Sequence, residues 1–274
     1  MHIFEVILIQ PILNVLMAIY AIIPGHDFGI SVILLTILIR AILWPLASKQ
    51  LHSQRKLQSL QPEIARVKKQ AAGNKQKENE LMMELYKEKE INPFGACLPL
   101  LLQLPVLFAM FYVFKTTTHF DQLLPLLYAP VKNLPYMQQV IANPSMFNPT
   151  LFGWISMTQP NHVLAVIAGI SQYIQVWMIT PKVKPDPGDS QAQTQRIMNY
   201  MFPLVTVVFA WNLMAALPLY WTTTNAVSIL QQWLIMRHDV EDMEEAVVVK
   251  KKSLPSGDNK KPAKKSSKKK GGKK

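Results

Sequence analysis

The chain has 274 residues, half of them hydrophobic, with a formal net charge of +12 and a mean hydropathy of +0.13. So much apolar content beside a strongly charged terminus suits a polytopic membrane protein and argues against a soluble domain. A single cysteine, Cys97, excludes an internal disulfide and any metal site of paired cysteines.

The charge is unevenly placed. Lys250–Lys274 carries twelve lysines against one acid, Asp258, so a net +11 sits in that stretch and the rest is close to neutral. A tail of that kind seeks polyanions. Met1-His2-Ile3-Phe4-Glu5 lacks the basic start of a cleaved signal peptide, and no cysteine stands where a lipoprotein anchor needs one. No internal repeat is visible.

Residues 3–23 are apolar and long enough to cross a bilayer, but Gln10, Pro11 and Asn14 fall near the middle. The sequence therefore predicts an interfacial helix, with 1–27 as a leading segment that includes the turn Pro24-Gly25-His26-Asp27. Residues 28–47, FGISVILLTILIRAILWPLA, predict the first span of the core, since twenty helical residues match a hydrocarbon layer of ~30 Å. Arg40 is its one full charge. An arginine at the centre of a span costs roughly 2.5–3.5 kcal/mol on insertion scales. It either snorkels to the interface or sits in a water-filled, protein-lined cavity. The second is favoured, because Thr36 shares its face and other spans also carry polar residues.

Residues 48–91 hold ten Lys/Arg, with Leu57, Leu60, Ile64 and Val67, then Leu81 and Leu85, at helical spacing. This predicts two antiparallel helices turning at 71–74, on the cytoplasmic side by their basic excess. Residues 94–114 predict the next span, with Pro99 and Pro105 inside it. Residues 116–161, with one lysine and six prolines, read as an external loop of short elements. Residues 162–180 span back, a basic connector covers 181–196, and 198–214 with 217–236 form a hairpin broken near 215–218. Five spans place the C-terminus inside, and 237–274 reads as a disordered basic tail. The fold class expected is an all-α polytopic membrane protein, its insert at 28–236 being a five-helix core.

The polar inventory of these spans is Thr36, Arg40, Gln103, Gln172, Gln175, Asn199, Thr222–Thr224, Asn225, Gln231 and Gln232. Singly, each glutamine is most simply an interhelical hydrogen bond. Together they outline a hydrated groove around one arginine. No acid in any span pairs with Arg40, and there is no HExxH, GxSxG, P-loop or intramembrane aspartate pair. No catalysis, cofactor or metal is expected. A small transporter or channel is the competing class, although inverted repeats and half-helices are not seen. An assembly factor without independent activity is a third.

The order of motifs is specific. Gln10-Pro11 precedes Thr36-x-x-x-Arg40 and Trp44-Pro45-Leu46; Leu60-Gln61-Pro62 and Leu85-Tyr86-Lys87 follow. Then come Ile91-Asn92-Pro93-x-Gly95-x-Cys97-x-Pro99, Gln103-x-Pro105, Leu217-Pro218-Leu219-Tyr220-Trp221 and Gln231-Gln232. Over residues 4–237 this series resembles the YidC-type membrane protein insertases, with their Oxa and Alb relatives, in a compact five-span bacterial form. Two outer-side motifs depart from the family: Gly153-Trp154-Ile155-Ser156-Met157 lacks its aspartate, and Asn212-Leu213-Met214-Ala215-Ala216 replaces its Phe-Pro-x-Gly.

The resemblance implies a multi-pass protein of the bacterial cytoplasmic membrane with a groove open to the cytoplasm and laterally to lipid. Arg40 would receive polar or acidic parts of nascent membrane proteins. Thr36, Trp221 and Gln172 or Gln175 match positions that line the groove, with Gln103 beside them. It also implies a Sec translocon and a targeting receptor as partners. The tail would touch the ribosome, the alternative being anionic lipid.

Overall fold

The computed structural model describes residues 2–89, 98–180 and 190–252. The chain divides into two compact units, Met1–Trp233 and Leu234–Lys274. A short helix α1 (His2–Phe4) passes through a π-helical stretch, Glu5–Ile9, into α2 (Gln10–Ile22). Pro11 stands in the first turn of α2, where its missing N–H costs least. Gly25 and His26 then take positive φ values of 80° and 47°, which reverses the chain. Asp27 caps α3 (Phe28–Ile42), its carboxylate accepting from the Ile30 N–H at 2.9 Å.

The span predicted over 28–47 is not one straight helix. The chain breaks at Leu43 and bends by 66° into α4 (Trp44–Ser59). Pro45 is the cause. It has no N–H for the carbonyl of Ala41, and its ring clashes there in a continuous helix. The Leu43 N–H turns back to Ala41 and Ile39 instead.

Residues 48–91, expected as two helices, hold the end of α4 and two more: the chain breaks at Leu60, just before Pro62, and α5 (Gln61–Ala71) and α6 (Lys75–Glu88) form the hairpin, turning through Ala72 and Gly73 at φ 47° and 85°. The Asn74 side chain caps α6 by accepting from the Gln76 and Lys77 N–H groups. Leu60, Ile64 and Leu85 form a small core of their own, flanked by Val67, Met82 and Tyr86. Lys89 Nζ lies 3.1 Å from Glu63, whose hydrogen bond and charge hold the ammonium above the usual lysine range.

Helix α7 (Leu98–Thr117) carries Pro105 inside it; the residues 94–97 with which that span was expected to begin lie outside the described residues. The proline-rich segment 116–161 is built from short pieces, as its composition predicts: α8 (Phe120–Leu126), α9 (Ala129–Lys132) and α10 (Pro135–Ala142). An antiparallel pair follows, β1 (Thr150–Leu151) and β2 (Ile155–Ser156). Asn161 then caps α11 (His162–Ile179).

Two boundaries differ from expectation. Helix α12 (Ser190–Ala210) starts inside the stretch read as a connector and stops four residues before 214. The turn to α13 (Ala216–Lys252) is captured by tertiary bonds, with the Ala215 and Ala216 N–H groups donating to Gln159 O and Met157 O. Helix α13 also runs through 237–252, expected as disordered tail. The remainder of the tail lies outside the described residues.

Glu5–Ile22 and His162–Ile179 are long and apolar enough to cross a membrane, and the bent pair α3–α4 makes a third if counted as one span. Helix α2 packs on α3, α7 and the loop helices, with Leu13, Leu16, Met17 and Tyr20 fully buried. The polar residues that interrupt it are satisfied by the loop: Asn14 Nδ2 and Gln10 Nε2 donate to Leu126 O at 2.9 and 3.2 Å, and Asn14 Oδ1 accepts from the Tyr128 N–H. Helices α11 and α12 close on each other at Gly169, where a Cβ would overlap Val207 Cγ2. Only a small residue permits that approach.

Candidate functional site

The main apolar core draws on only part of each long helix. From α3 it takes Phe28, Val32 and Leu35; from α7, Ala109, Met110, Val113 and Phe114; from α13, Ala216, Leu217, Leu219 and Tyr220. The loop residues Leu123, Met137, Leu151 and Met157 complete it. These are the first residues of α3 and α13 and the last residues of α7, so the core is concentrated at one end of the three helices. At their other end the facing side chains turn polar.

Arg40 is at that polar end, one turn before the elbow at Leu43. Its guanidinium donates to Ser228 Oγ at 2.5 Å and to Thr224 O at 3.3 Å, both on α13. Among the described residues no carboxylate pairs with it. Ser228 in turn donates to Thr224 O at 2.8 Å. Gln103 Nε2 donates to Tyr220 Oη at 2.8 Å, tying α7 to α13. Asn225 Nδ2 donates to Ser171 Oγ at 2.9 Å, tying α13 to α11.

Thr224, Asn225, Ser228, Gln231 and Gln232 are all buried. Yet Gln232 Oε1 has no hydrogen-bond partner, and the Thr224 hydroxyl has only that of Tyr220 beside it. A buried polar atom left unpaired costs about 1–3 kcal/mol, and such atoms in a native fold call for water or a polar ligand. The polar end is therefore chemically suited to hold water, or a polar segment in its place.

The candidate residues separate by position. Arg40 and Gln103 each bond to α13, as a shared cavity requires. Thr36 is buried, and its hydroxyl donates to Val32 O within its own helix at 2.6 Å, so it supplies little polarity to a neighbour. Trp221 is half-buried, its ring 6.3 Å from that of Phe209 on α12. Gln172 and Gln175 are half-buried on α11 and make no hydrogen bond among the described residues, whereas their neighbour Ser171 does. Ser228, Ser171 and the Tyr220 hydroxyl escaped the sequence reading. Tyr220, Thr224, Ser228 and Gln232 recur every four residues, and that stripe was the available signal. No cluster of metal-ligating side chains occurs among the described residues.

A family model described as the 60Kd inner membrane protein matches residues 18–242. A membrane protein insertase YidC of Fusobacterium nucleatum is 34% identical over 213 residues, 77% of this chain and 87% of that protein. One from Clostridium tetani is 34% identical over 76% of this chain and 81% of its own length. The relative from Methylobacillus flagellatus is 34% identical too, but this chain spans only 33% of its length. A solved structure of an active YidC insertase with its first transmembrane domain resolved aligns over 75% of this chain and 41% of its own, at TM-score 0.47 and 23% identity. Most of the chain is thus accounted for by one family of helical membrane proteins, and the chain belongs to it: the 60Kd inner membrane proteins, or YidC-type membrane protein insertases.

Proposed function

We propose that this chain inserts newly made membrane proteins and helps them fold, using the polar end of the bundle as a groove for segments that must cross. The observation that supports this is Arg40, held by Ser228 and Thr224 with no carboxylate partner among the described residues, on the polar end that also holds the unpaired Gln232 Oε1. A carboxylate ~4 Å from the guanidinium gains about 4 kcal/mol at an effective dielectric constant of 20, against about 1 kcal/mol in water. The groove thus attracts acidic segments more strongly than the solvent they leave. The substrate's apolar helix then passes sideways into lipid, where burial at ~25 cal/mol per Å² drives insertion. Nothing in this scheme needs covalent chemistry or a nucleotide.

In this reading the chain is a multi-pass protein of the cytoplasmic membrane with five spans, and the polar end faces the cytoplasm. The packed end, with α8–α10 and the β1–β2 pair, faces outward. Helix α2, clamped by Gln10 and Asn14 to that outer segment, lies at the outer interface. The α5–α6 hairpin meets the targeting receptor and the Sec translocon. The lysine tail, on the cytoplasmic side, binds ribosomal RNA or anionic lipid.

The test is insertion of an acidic-tailed substrate into liposomes carrying the purified chain, paired with rescue of an insertase-depleted bacterium. Arg40→Ala is expected to lose most of that insertion, and Arg40→Lys to keep most of it, since a charge rather than a two-pronged contact is required. Equal insertion by Arg40→Ala and the original chain would remove Arg40 from the mechanism. Insertion only when a translocon is added would make the chain an assembly factor. No insertion at all, with small solutes crossing, would make it a transporter.

A further inference from the structure

The turn between β1 and β2 presents two aromatic rings that the core does not use. Phe152 is 64% exposed and Trp154 76%, whereas Leu151 on one side is buried and Ile155 on the other packs against the main core. Phe152 adopts φ 54° and the next residue, Gly153, 79°. A bulky side chain in that left-handed region is uncommon, and where such a residue persists its display is a reason to look for function.

This turn is not a loose tip. The Phe152 N–H donates to Asp27 Oδ2 at 2.5 Å, the carboxylate that also caps α3. Leu151 lies against Gly29 so closely that a Cβ there would stand 2.5 Å from Leu151 Cβ. Beyond β2, Met157 O and Gln159 O accept from the start of α13, and Asn161 caps α11. The two rings are therefore fixed at the level where α3, α11 and α13 begin.

From there an exposed apolar surface continues along α11 through Val163, Val166, Ile167, Ile170 and Ile174. Residues 133–181 contain no lysine, arginine, aspartate or glutamate, and the one carboxylate at the turn, Asp27, is buried and engaged by backbone N–H groups, so no charge is displayed there. Large amphipathic rings beside the end of a lipid-facing helix, in an uncharged setting, fit the boundary between headgroups and acyl chains.

We propose that the Phe152–Trp154 turn is a membrane anchor, its two rings seated in the interfacial layer of the leaflet at the packed end of the bundle. Through Asp27 it fixes the depth of α3, and therefore of the arginine farther down that helix.

The test uses the full chain in lipid nanodiscs, comparing it with Trp154→Phe so that the difference spectrum reports Trp154 alone. The expected component is blue-shifted, weakly quenched by aqueous acrylamide, and quenched several-fold more by lipids brominated near the headgroup than by lipids brominated near the terminal methyl. A red-shifted component that acrylamide quenches and brominated lipid does not would overturn the anchor. So would a blue-shifted component insensitive to both quenchers that appears only with two or more chains per disc, because the rings would then seat against a second copy. A nitroxide at residue 154 in a Cys97→Ser background gives an independent reading. It should be several-fold more accessible to oxygen than to a water-soluble nickel complex, and the reverse order would refute the anchor.

Discussion

The two ends of the helical bundle are built from the same three helices under opposite rules. At the packed end α3, α7 and α13 meet through Phe28, Phe114, Met110 and Leu217, all almost fully buried, with loop residues closing the top. At the polar end the same helices meet through Arg40, Gln103, Thr224 and Ser228, and the buried Gln232 Oε1 there has no partner. Stability resides at the first end, where every buried group is matched by dispersion or a hydrogen bond. The second end keeps groups that a purely structural bundle would have replaced. Unmatched polarity beside a held charge is a cost to the fold, and the groove proposed above would account for its being kept.

Substitutions at the two ends should therefore move stability in different directions. The largest effect is expected for Phe114→Ala, which empties a site in the packed core and should cost about 3–5 kcal/mol, read as a lower melting temperature in detergent. Asp27→Ala comes next. It removes the cap of α3 and leaves the Phe152 N–H unpaired, and should cost about 2–4 kcal/mol together. Gln232→Met is the sharpest probe, because it removes an unpaired buried carbonyl at nearly the same size. It should leave stability unchanged or raise it by about 1 kcal/mol while reducing insertion, and a marked loss of stability would mean that the polar end is structural after all. The smallest effect belongs to Lys89→Met in the α5–α6 hairpin. Its partner Glu63 is exposed to a similar degree, and such a pair is screened by solvent, so no change in melting is expected.

The sequence carried the class of fold, the order of helices and the hairpin within 48–91, because apolar runs and helical periodicity survive any packing. The short elements of 116–161 were legible from their prolines for the same reason. Three features were harder. The bend at Leu43 was written in Pro45, but the apolar run through Ala47 concealed it. How the start of α13 is held was not legible, since it depends on carbonyls of Met157 and Gln159 that arrive from a distant loop. Gln10 and Asn14 marked the leading helix as unusual, but their shared partner, the carbonyl of Leu126, lies more than a hundred residues away and was not legible. At the candidate site the sequence named Arg40 and Gln103, but not that their partners would be Ser228 and Tyr220. A lone serine in an apolar helix carries little signal until the facing helix is known.

The elbow at Leu43 has a consequence for the lipid around the protein. Because α3 runs straight only from Phe28 to Ile42, fifteen residues, it reaches at most about 22 Å along the membrane normal at 1.5 Å per residue. The hydrocarbon layer of an ordinary bilayer is ~30 Å. With α3 placed as the span proposed above, lipids beside this wall would compress or tilt to meet it, at a cost of fractions of a kcal/mol per Å of mismatch. That cost is borne by the bilayer, outside the protein's own fold. A single proline thereby places a patch of strained, shortened membrane next to the arginine, where a polar segment would have the least distance to travel.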